Sequence, residues 1–137
     1  MNPGFQTAFA DCRTSDGRNV VLLCPLVFVT KAGKAITLVA GASSDGTSTP
    51  AFIWTLIPPF GKYWMPAILH DFLYRCTQLP KSECDSTFLE AMLAQGVGRF
   101  EAQVIYEGVH LGGSSSFAQD RAAQTPVHLA RVRVTAP

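Results

Sequence analysis

An apolar segment from Met65 to Arg75 carries a histidine and an aspartate at its centre, His70 and Asp71. Pro66 suits the first turn of a helix. The rest of the segment is apolar on nearly every side, which predicts a helix that is buried all round. Burying an ionisable pair costs free energy unless each group finds a partner. The fold of this chain must therefore bring polar partners to the middle of a buried helix.

A second helix is predicted from Lys81 to Gln95, where Gly96 ends it. Asp85 lies on the apolar stripe of this helix, so its carboxylate faces the core and needs partners. The connection between the two helices is short, which favours antiparallel packing. The natural partners of Asp85 are then His70 and Tyr74, which lie four positions apart and share one helix face.

Two interpretations of this cluster stay open. In the catalytic interpretation, Asp85 orients His70, Tyr74 supports the pair, and His70 acts as a base on a water molecule. In the structural interpretation, the three side chains form a satisfied polar network that fixes the helix pair. A His70 that lies in a cleft would favour catalysis, and a buried His70 without a cleft would favour packing.

Two further aspartates are candidates for holding a cation. Asp71 points away from His70, and it either pairs with Arg75, four positions later, or holds a cation or a polarising water. Asp45 lies in a loop from Ser43 to Pro50 that is dense in turn-forming residues. That loop either faces a ligand or a metal ion, or it is a plain turn.

The predicted fold class is α+β. Residues 1–40 are typical of short strands in an N-terminal β meander, with a hairpin turn at Lys31–Lys34. This meander is expected to pack on a three-helix layer whose last helix runs over residues 99–110. His110 and His128 are isolated in the sequence and are not predicted to be ligands.

The domain prediction is one α+β domain over residues 1–113 and a C-terminal extension over residues 114–137. The extension has no clear periodicity, so it is expected to be irregular, with at most a lone strand between Val127 and Val134. Such a tail either pairs with another chain or is a flexible terminus.

Composition narrows the class of protein. Hydrophobic residues make up 47% and charged residues 15% of the 137 residues, with a net charge of +1. These values exclude a disordered chain and argue against broad binding to a nucleic-acid backbone. The chain has no apolar stretch long enough for a transmembrane helix and no signal-peptide pattern, so we expect it to fold in a reducing cytosol. Its four cysteines are expected to be free thiols.

Several short motifs, taken in order, resemble a family of small proteins of unknown function that tailed phages and prophages encode. The resemblance extends over about residues 25–113. It is carried by a turn-rich loop, an aromatic turn and two helical motifs: Ser44–Pro50, Pro59–Tyr63, Ala67–Tyr74 and Cys84–Met92. One departure is Lys81, where that family usually has arginine.

The pattern His70-Asp71-x-x-Tyr74, followed by Asp85 on the next helix, is distantly similar to the paired helices of phospholipase A2. This resemblance implies that His70 is the general base for water and that Asp71 binds calcium. It also implies that Asp85 and Tyr74 support the histidine. The disulfides and the glycine-rich calcium loop of the secreted enzymes are not recognisable, and the loop at Asp45 is the only substitute for that loop.

These resemblances imply a phage-encoded, virion-associated protein at the tail or the head-to-tail junction, with a structural or assembly role. Its partners would be other virion proteins, bound through Ser114–Pro137, and it would pass from the host cytoplasm into the virion. The alternative is an active hydrolase of the phospholipase A2 type with calcium as its cofactor. Such an enzyme would act on a lipid or cell-wall component of the host envelope during entry.

Overall fold

A computed structural model of the protein describes residues 2–6, 11–13, 20–44 and 61–137. Within these residues, one antiparallel sheet has four strands in the order β1-β4-β5-β7, and a second sheet has three strands in the order β2-β3-β6. The strands are β1 (Gly4–Phe5), β2 (Asp11–Arg13), β3 (Val20–Leu22), β4 (Leu26–Val29), β5 (Ala35–Leu38), β6 (Ser43–Ser44) and β7 (Val132–Thr135).

The helical part of the chain begins with a 3₁₀ turn at Gly61–Tyr63. In the described part of the chain, five helices follow: α1 (Trp64–Cys76), α2 (Lys81–Ala94), α3 (Arg99–Gly112), α4 (Ser114–Ala122) and α5 (Pro126–Leu129). None of these helices combines the length and the apolar character needed to span a bilayer. A sheet near the N-terminus followed by a helical layer confirms the predicted α+β class.

The β4–β5 hairpin forms the centre of the four-stranded sheet. Leu26 faces Leu38 across the two strands, and Phe28 faces Ile36. These four side chains are almost completely buried. Successive side chains of a strand point to opposite faces of the sheet, so alternate residues of β4 and β5 lie on the covered face. The connecting turn places Gly33 at φ +91°, a backbone conformation that glycine adopts without strain. The predicted hairpin is therefore confirmed.

Helix α1 lies in the core of the molecule. All of its residues except Met65 and Arg75 are buried. It packs against α2, α4 and α5, and it also contacts β6 and β7. Pro66 lies in its first turn, as predicted. A helix in this position holds His70 and Asp71 away from bulk water.

Helix α2 ends in a Schellman motif, which turns the chain into α3. The Gly96 N–H donates to the Leu93 carbonyl at 3.1 Å, and the Val97 N–H donates to the Met92 carbonyl at 3.0 Å. Gly96 has φ +86°, the left-handed conformation that this motif requires and that glycine favours. Helix α3 then packs against α2, and its last turn lies beside Lys81 at the start of α2.

The prediction of an irregular C-terminal extension is wrong. Residues 114–137 form helices α4 and α5 and strand β7. The strand pairs antiparallel with β5, from Leu38 opposite Val132 to Ala35 opposite Thr135. It therefore completes the four-stranded sheet of its own chain instead of standing alone.

The missing periodicity in this segment has a physical cause. Helix α4 has no buried residue, so it has no apolar stripe that a sequence pattern could reveal. It is held by Arg121, which donates hydrogen bonds to the carbonyls of Leu73, Tyr74 and Leu79. The same guanidinium lies 4.4 Å from the ring centre of Phe117. Arg121 thus caps the carbonyl groups at the C-terminal end of α1.

Cys76 and Cys84 are free thiols in the core, as predicted. Burial raises the pKa of Cys84 to about 12 and that of Cys76 to about 11. Both thiols therefore stay protonated at physiological pH, which makes them poor nucleophiles. The side chain of Cys12 lies outside the described residues.

Candidate functional site

The carboxylate of Asp85 is the centre of a buried cluster. Its Oδ1 accepts hydrogen bonds from His70 Nε2 at 2.8 Å and from the Tyr74 hydroxyl at 2.6 Å. Its Oδ2 accepts from Lys81 Nζ at 2.7 Å and from His110 Nδ1 at 3.3 Å. A carboxylate offers about four acceptor positions, so these donors saturate it. The structure thus brings together His70, Tyr74 and Asp85, which the sequence singles out.

Asp85 carries a negative charge although it is completely buried. Burial by itself raises the pKa of Asp85, but the hydrogen bonds from His70, Lys81 and Tyr74 outweigh burial and hold that pKa well below its usual range. An ionised carboxylate can only accept hydrogen bonds. His70 Nε2 must therefore donate, and Nδ1 keeps its lone pair while the ring is neutral.

The second ring nitrogen of His70 is the unusual atom of the site. His70 exposes no surface, and its Nδ1 has no hydrogen-bond partner in the part of the chain that the structure describes. The ring packs between Tyr74, at 4.2 Å between centres, and Phe88, at 4.8 Å. Full burial agrees with the structural interpretation. The unpaired nitrogen agrees with the catalytic one, because a buried polar atom seldom lacks a partner.

Tyr74 supports Asp85 as a permanent hydrogen-bond donor. Burial, together with its hydrogen bond to Asp85, raises the pKa of Tyr74 far above its usual value. The chain passes very close to this hydroxyl where α4 begins. A Cβ at Gly113 would lie 2.5 Å from the Val109 carbonyl oxygen and 3.1 Å from the Tyr74 hydroxyl. Glycine is therefore required beside the site at this position.

Sequence reasoning missed two of the four donors to Asp85. Lys81 lies four positions before Asp85 on α2, so helical spacing alone could have identified it. His110 was expected to be isolated, but α3 brings its ring to Asp85 Oδ2. It stacks on Tyr106, and its side chain is 41% exposed, so the cluster reaches the surface here. His128 instead forms a capping box at the start of α5.

Asp71 lies apart from this cluster. Its Oδ2 accepts a hydrogen bond from Arg75 Nη1 at 3.0 Å, and the same nitrogen lies 3.4 Å from the Ser43 carbonyl oxygen. The expected pairing of Asp71 with Arg75 is therefore present. A calcium ion on that carboxylate would have to lie beside a guanidinium of like charge, which is unfavourable. The role of Asp71 as a calcium ligand, which the resemblance implies, stays a prediction.

The other predicted metal residue, Asp45, lies outside the described residues together with the loop that follows it. Among the residues that are described, no group of three or more His, Cys, Asp or Glu side chains is arranged to hold a metal ion. The part of the calcium prediction that rests on Asp45 stays a prediction.

The fold and the cluster define an α+β protein with a buried His–Asp–Tyr network between two core helices. Residues 20–109 match the model of DUF1353, a family of proteins of unknown function. The match covers most of the chain, and the protein belongs to this family. Comparison with curated proteins and with solved structures gives no match.

Proposed function

We propose that this protein is a hydrolase in which His70 activates a water molecule. The observation that carries the proposal concerns His70, whose Nε2 is held by Asp85. Its buried Nδ1 has no hydrogen-bond partner among the residues that the structure describes. A network that serves packing alone gains nothing from an unpaired buried nitrogen, which costs free energy. A water molecule bound at Nδ1 would satisfy that atom and would be in the position from which a base removes a proton. Because the His70 ring is completely buried, an ester reaches this water only when the packing around the ring opens.

The proton transfers follow from the geometry of the cluster. His70 Nδ1 removes a proton from the water as its oxygen attacks the carbonyl carbon of an ester. The ring becomes an imidazolium ion, which the adjacent carboxylate of Asp85 stabilises. When the tetrahedral intermediate collapses, Nδ1 returns the proton to the leaving alcohol oxygen. The products are a carboxylic acid and an alcohol, and His70 is neutral again.

The proposed substrate is a carboxylic ester of an envelope lipid, and the proposed setting is a phage virion. The likeness of the His70–Tyr74 segment and Asp85 to the helix pair of phospholipase A2 supports the substrate class. The order of the short motifs between Ser44 and Met92, which resembles a phage family, supports the setting. In this proposal the protein is made in the host cytoplasm and acts on the host envelope during entry.

The test is the release of fatty acid from vesicles of mixed phospholipids by the purified protein, measured with calcium and with a chelator. His70→Asn removes the base and keeps a polar side chain, although the shorter amide does not reach Asp85 as Nε2 does. His128→Asn is the matched control, because this histidine caps α5 and lies outside the cluster. Thermal melts of all three proteins show whether each is folded.

We expect the wild type and His128→Asn to release fatty acid, and folded His70→Asn to lose about 10²-fold or more in rate. Activity that persists in the chelator would show that hydrolysis does not require calcium. A folded wild type that releases no fatty acid under either condition would contradict the proposal that the protein is a hydrolase. Equal activity of His70→Asn and the wild type would contradict the assignment of the base.

A second candidate function, assembly into the virion, is favoured by exposed apolar side chains. Phe100 and Leu111 on α3 are 84% and 78% exposed, and Val104 between them is 48% exposed. On α5, Val127 and Leu129 are also exposed. Neighbouring apolar side chains left in water commonly mark a protein-binding surface. The proposed partners are other virion proteins. They would bind the exposed side chains of α3 and the segment Ser114–Pro137, to which α5 belongs.

The assembly role is tested in phage particles that carry the altered gene. We expect the double substitution Phe100→Ser, Leu111→Ser to lower the amount of this protein in purified particles without lowering its melting temperature. Val127→Ser tests the C-terminal segment in the same way. Unchanged incorporation of both variants would contradict binding through these helices.

A further inference from the structure

Lys81 is held more firmly than a surface lysine. Its side chain is only 17% exposed. Its ammonium group donates to Asp85 Oδ2 at 2.7 Å, to the His110 carbonyl at 2.8 Å and, more weakly, to the Val109 carbonyl at 3.4 Å. An ammonium group has three donors, and each has an acceptor here. Lys81 therefore joins the start of α2 to the last turn of α3 and to Asp85.

Of the described donors to Asp85, Lys81 is the ammonium group, and it lies 2.7 Å from Oδ2. Tyr74 is a neutral donor. His110 lies farther away, at 3.3 Å, and its side chain is 41% exposed, so water weakens its attraction to the carboxylate. The remaining donor is His70 itself. Lys81 is thus the group that compensates the charge of Asp85 when the His70 ring is neutral.

We propose that Lys81 is a positioning residue that keeps His70 in the form with hydrogen on Nε2 and a lone pair on Nδ1. With Lys81 in place, Asp85 is compensated and needs only one N–H from the imidazole. Without Lys81, the buried carboxylate would be compensated best by a doubly protonated His70 ring. In that form Nδ1 carries hydrogen and cannot accept a proton from water.

This inference rests on the proposed function for its consequence in catalysis, but its physical content can be measured separately. The ¹⁵N chemical shifts of a histidine ring distinguish a protonated nitrogen from one with a lone pair. The protein labelled with ¹⁵N at histidine therefore reports the state of His70 directly at neutral pH. The assignment of the His70 signals comes from their loss in His70→Asn.

Three variants define the experiment. Lys81→Met removes the charge and keeps most of the side-chain volume, whereas Lys81→Arg keeps the charge. Lys34→Met is the matched control, because Lys34 pairs with Glu83 on the same helix, outside the cluster. If Lys81→Met does not fold, Lys81→Gln replaces it and keeps a neutral donor.

We expect a lone pair on Nδ1 in the wild type, in Lys81→Arg and in Lys34→Met. In Lys81→Met or Lys81→Gln, the Nδ1 signal should move to that of a protonated nitrogen. The same variants should lose about 10²-fold in kcat for ester hydrolysis, with little change in KM.

Unchanged His70 signals in a folded Lys81→Met or Lys81→Gln protein would overturn the inference. A wild type with hydrogen on Nδ1 would overturn it as well. A wild type without hydrolytic activity would contradict the proposed function. The ring signals would then still decide the role of Lys81, because they do not depend on turnover.

Discussion

Two carboxylates, Asp85 and Asp71, are completely buried on neighbouring helices, yet different partners compensate their charges. Asp85 accepts hydrogen bonds from side chains on α1, α2 and α3. Asp71 pairs with Arg75, one turn later on its own helix, at 3.0 Å. The Arg75 side chain is 21% exposed and also reaches Ser43 in β6.

The comparison separates a carboxylate that orients an imidazole from one that holds a guanidinium. Asp85 is bound to an imidazole whose second nitrogen has no partner within the described part of the chain. Its charge is compensated by Lys81, which lies one turn earlier on its own helix. Asp71 helps to fix a guanidinium that joins α1 to the end of a strand. Burial is the same in both cases, so the chemistry follows from the partners and not from the depth of the residue.

The largest expected effect is the loss of stability in Asp85→Ala. The substitution leaves donors from three helices without their acceptor, one of them charged, which costs about 3–5 kcal/mol of unfolding free energy. Asp71→Ala should cost clearly less, because the partly exposed Arg75 can be hydrated. Urea denaturation of both variants measures the difference, and equal losses would contradict the distinction drawn between the two carboxylates.

Acid should reveal the charge of Asp85. Because its folded-state pKa is held well below its usual range, the unfolded chain binds more protons as the pH falls below about 4. The stability that Asp85 contributes is complete above that pH and is lost progressively below it. The stability difference between the wild type and Asp85→Asn should therefore shrink in acid. A difference that stays constant down to the acid limit of folding would contradict an ionised Asp85.

Tyr74→Phe should have a smaller effect. It removes one hydrogen bond to a charged acceptor, worth about 1.5–3 kcal/mol, and keeps the ring contacts with His70 and Phe117. Tyr106→Phe is the matched control, because Tyr106 stacks on His110 and does not donate to Asp85. Thermal or urea unfolding that shows the same cost for both tyrosines would contradict a supporting role of Tyr74.

The smallest expected effect is that of His110→Asn. The long contact with Asp85 and the partial exposure of the ring limit its contribution to below about 1 kcal/mol. Urea unfolding checks this value. A loss larger than that of Lys81→Met would show that His110, and not Lys81, is the main partner of Asp85 Oδ2.

The core of the site could be predicted because it depends on helical spacing. His70 and Tyr74 share one face of a helix, and Asp85 lies on the apolar stripe of the next helix, so two packed helices suffice to join them. The pairing of Asp71 with Arg75 follows from the same spacing. These are local relations, which a single sequence shows directly.

The position of His110 and the structure of the C-terminal segment depend on contacts between distant parts of the chain. His110 reaches Asp85 only because α2 turns sharply at Gly96 and α3 packs back along it. Helix α4 has no buried face to produce a periodic pattern, and Arg121 holds it through backbone carbonyls of α1. No local pattern marks such contacts, so the ordered C-terminal segment was predicted to be irregular.

The pairing of β5 with β7 has a consequence for how the protein is made. Leu38 pairs with Val132, and the whole helical layer lies between them in the sequence. Synthesis proceeds from the N-terminus, so β5 leaves the ribosome well before its neighbour exists. Until β7 arrives, the edge of β5 has unpaired backbone groups beside the apolar Ile36 and Leu38. The nascent chain is therefore most prone to aggregate at this stage, and slow synthesis, which prolongs the stage, would make a holding chaperone most useful then.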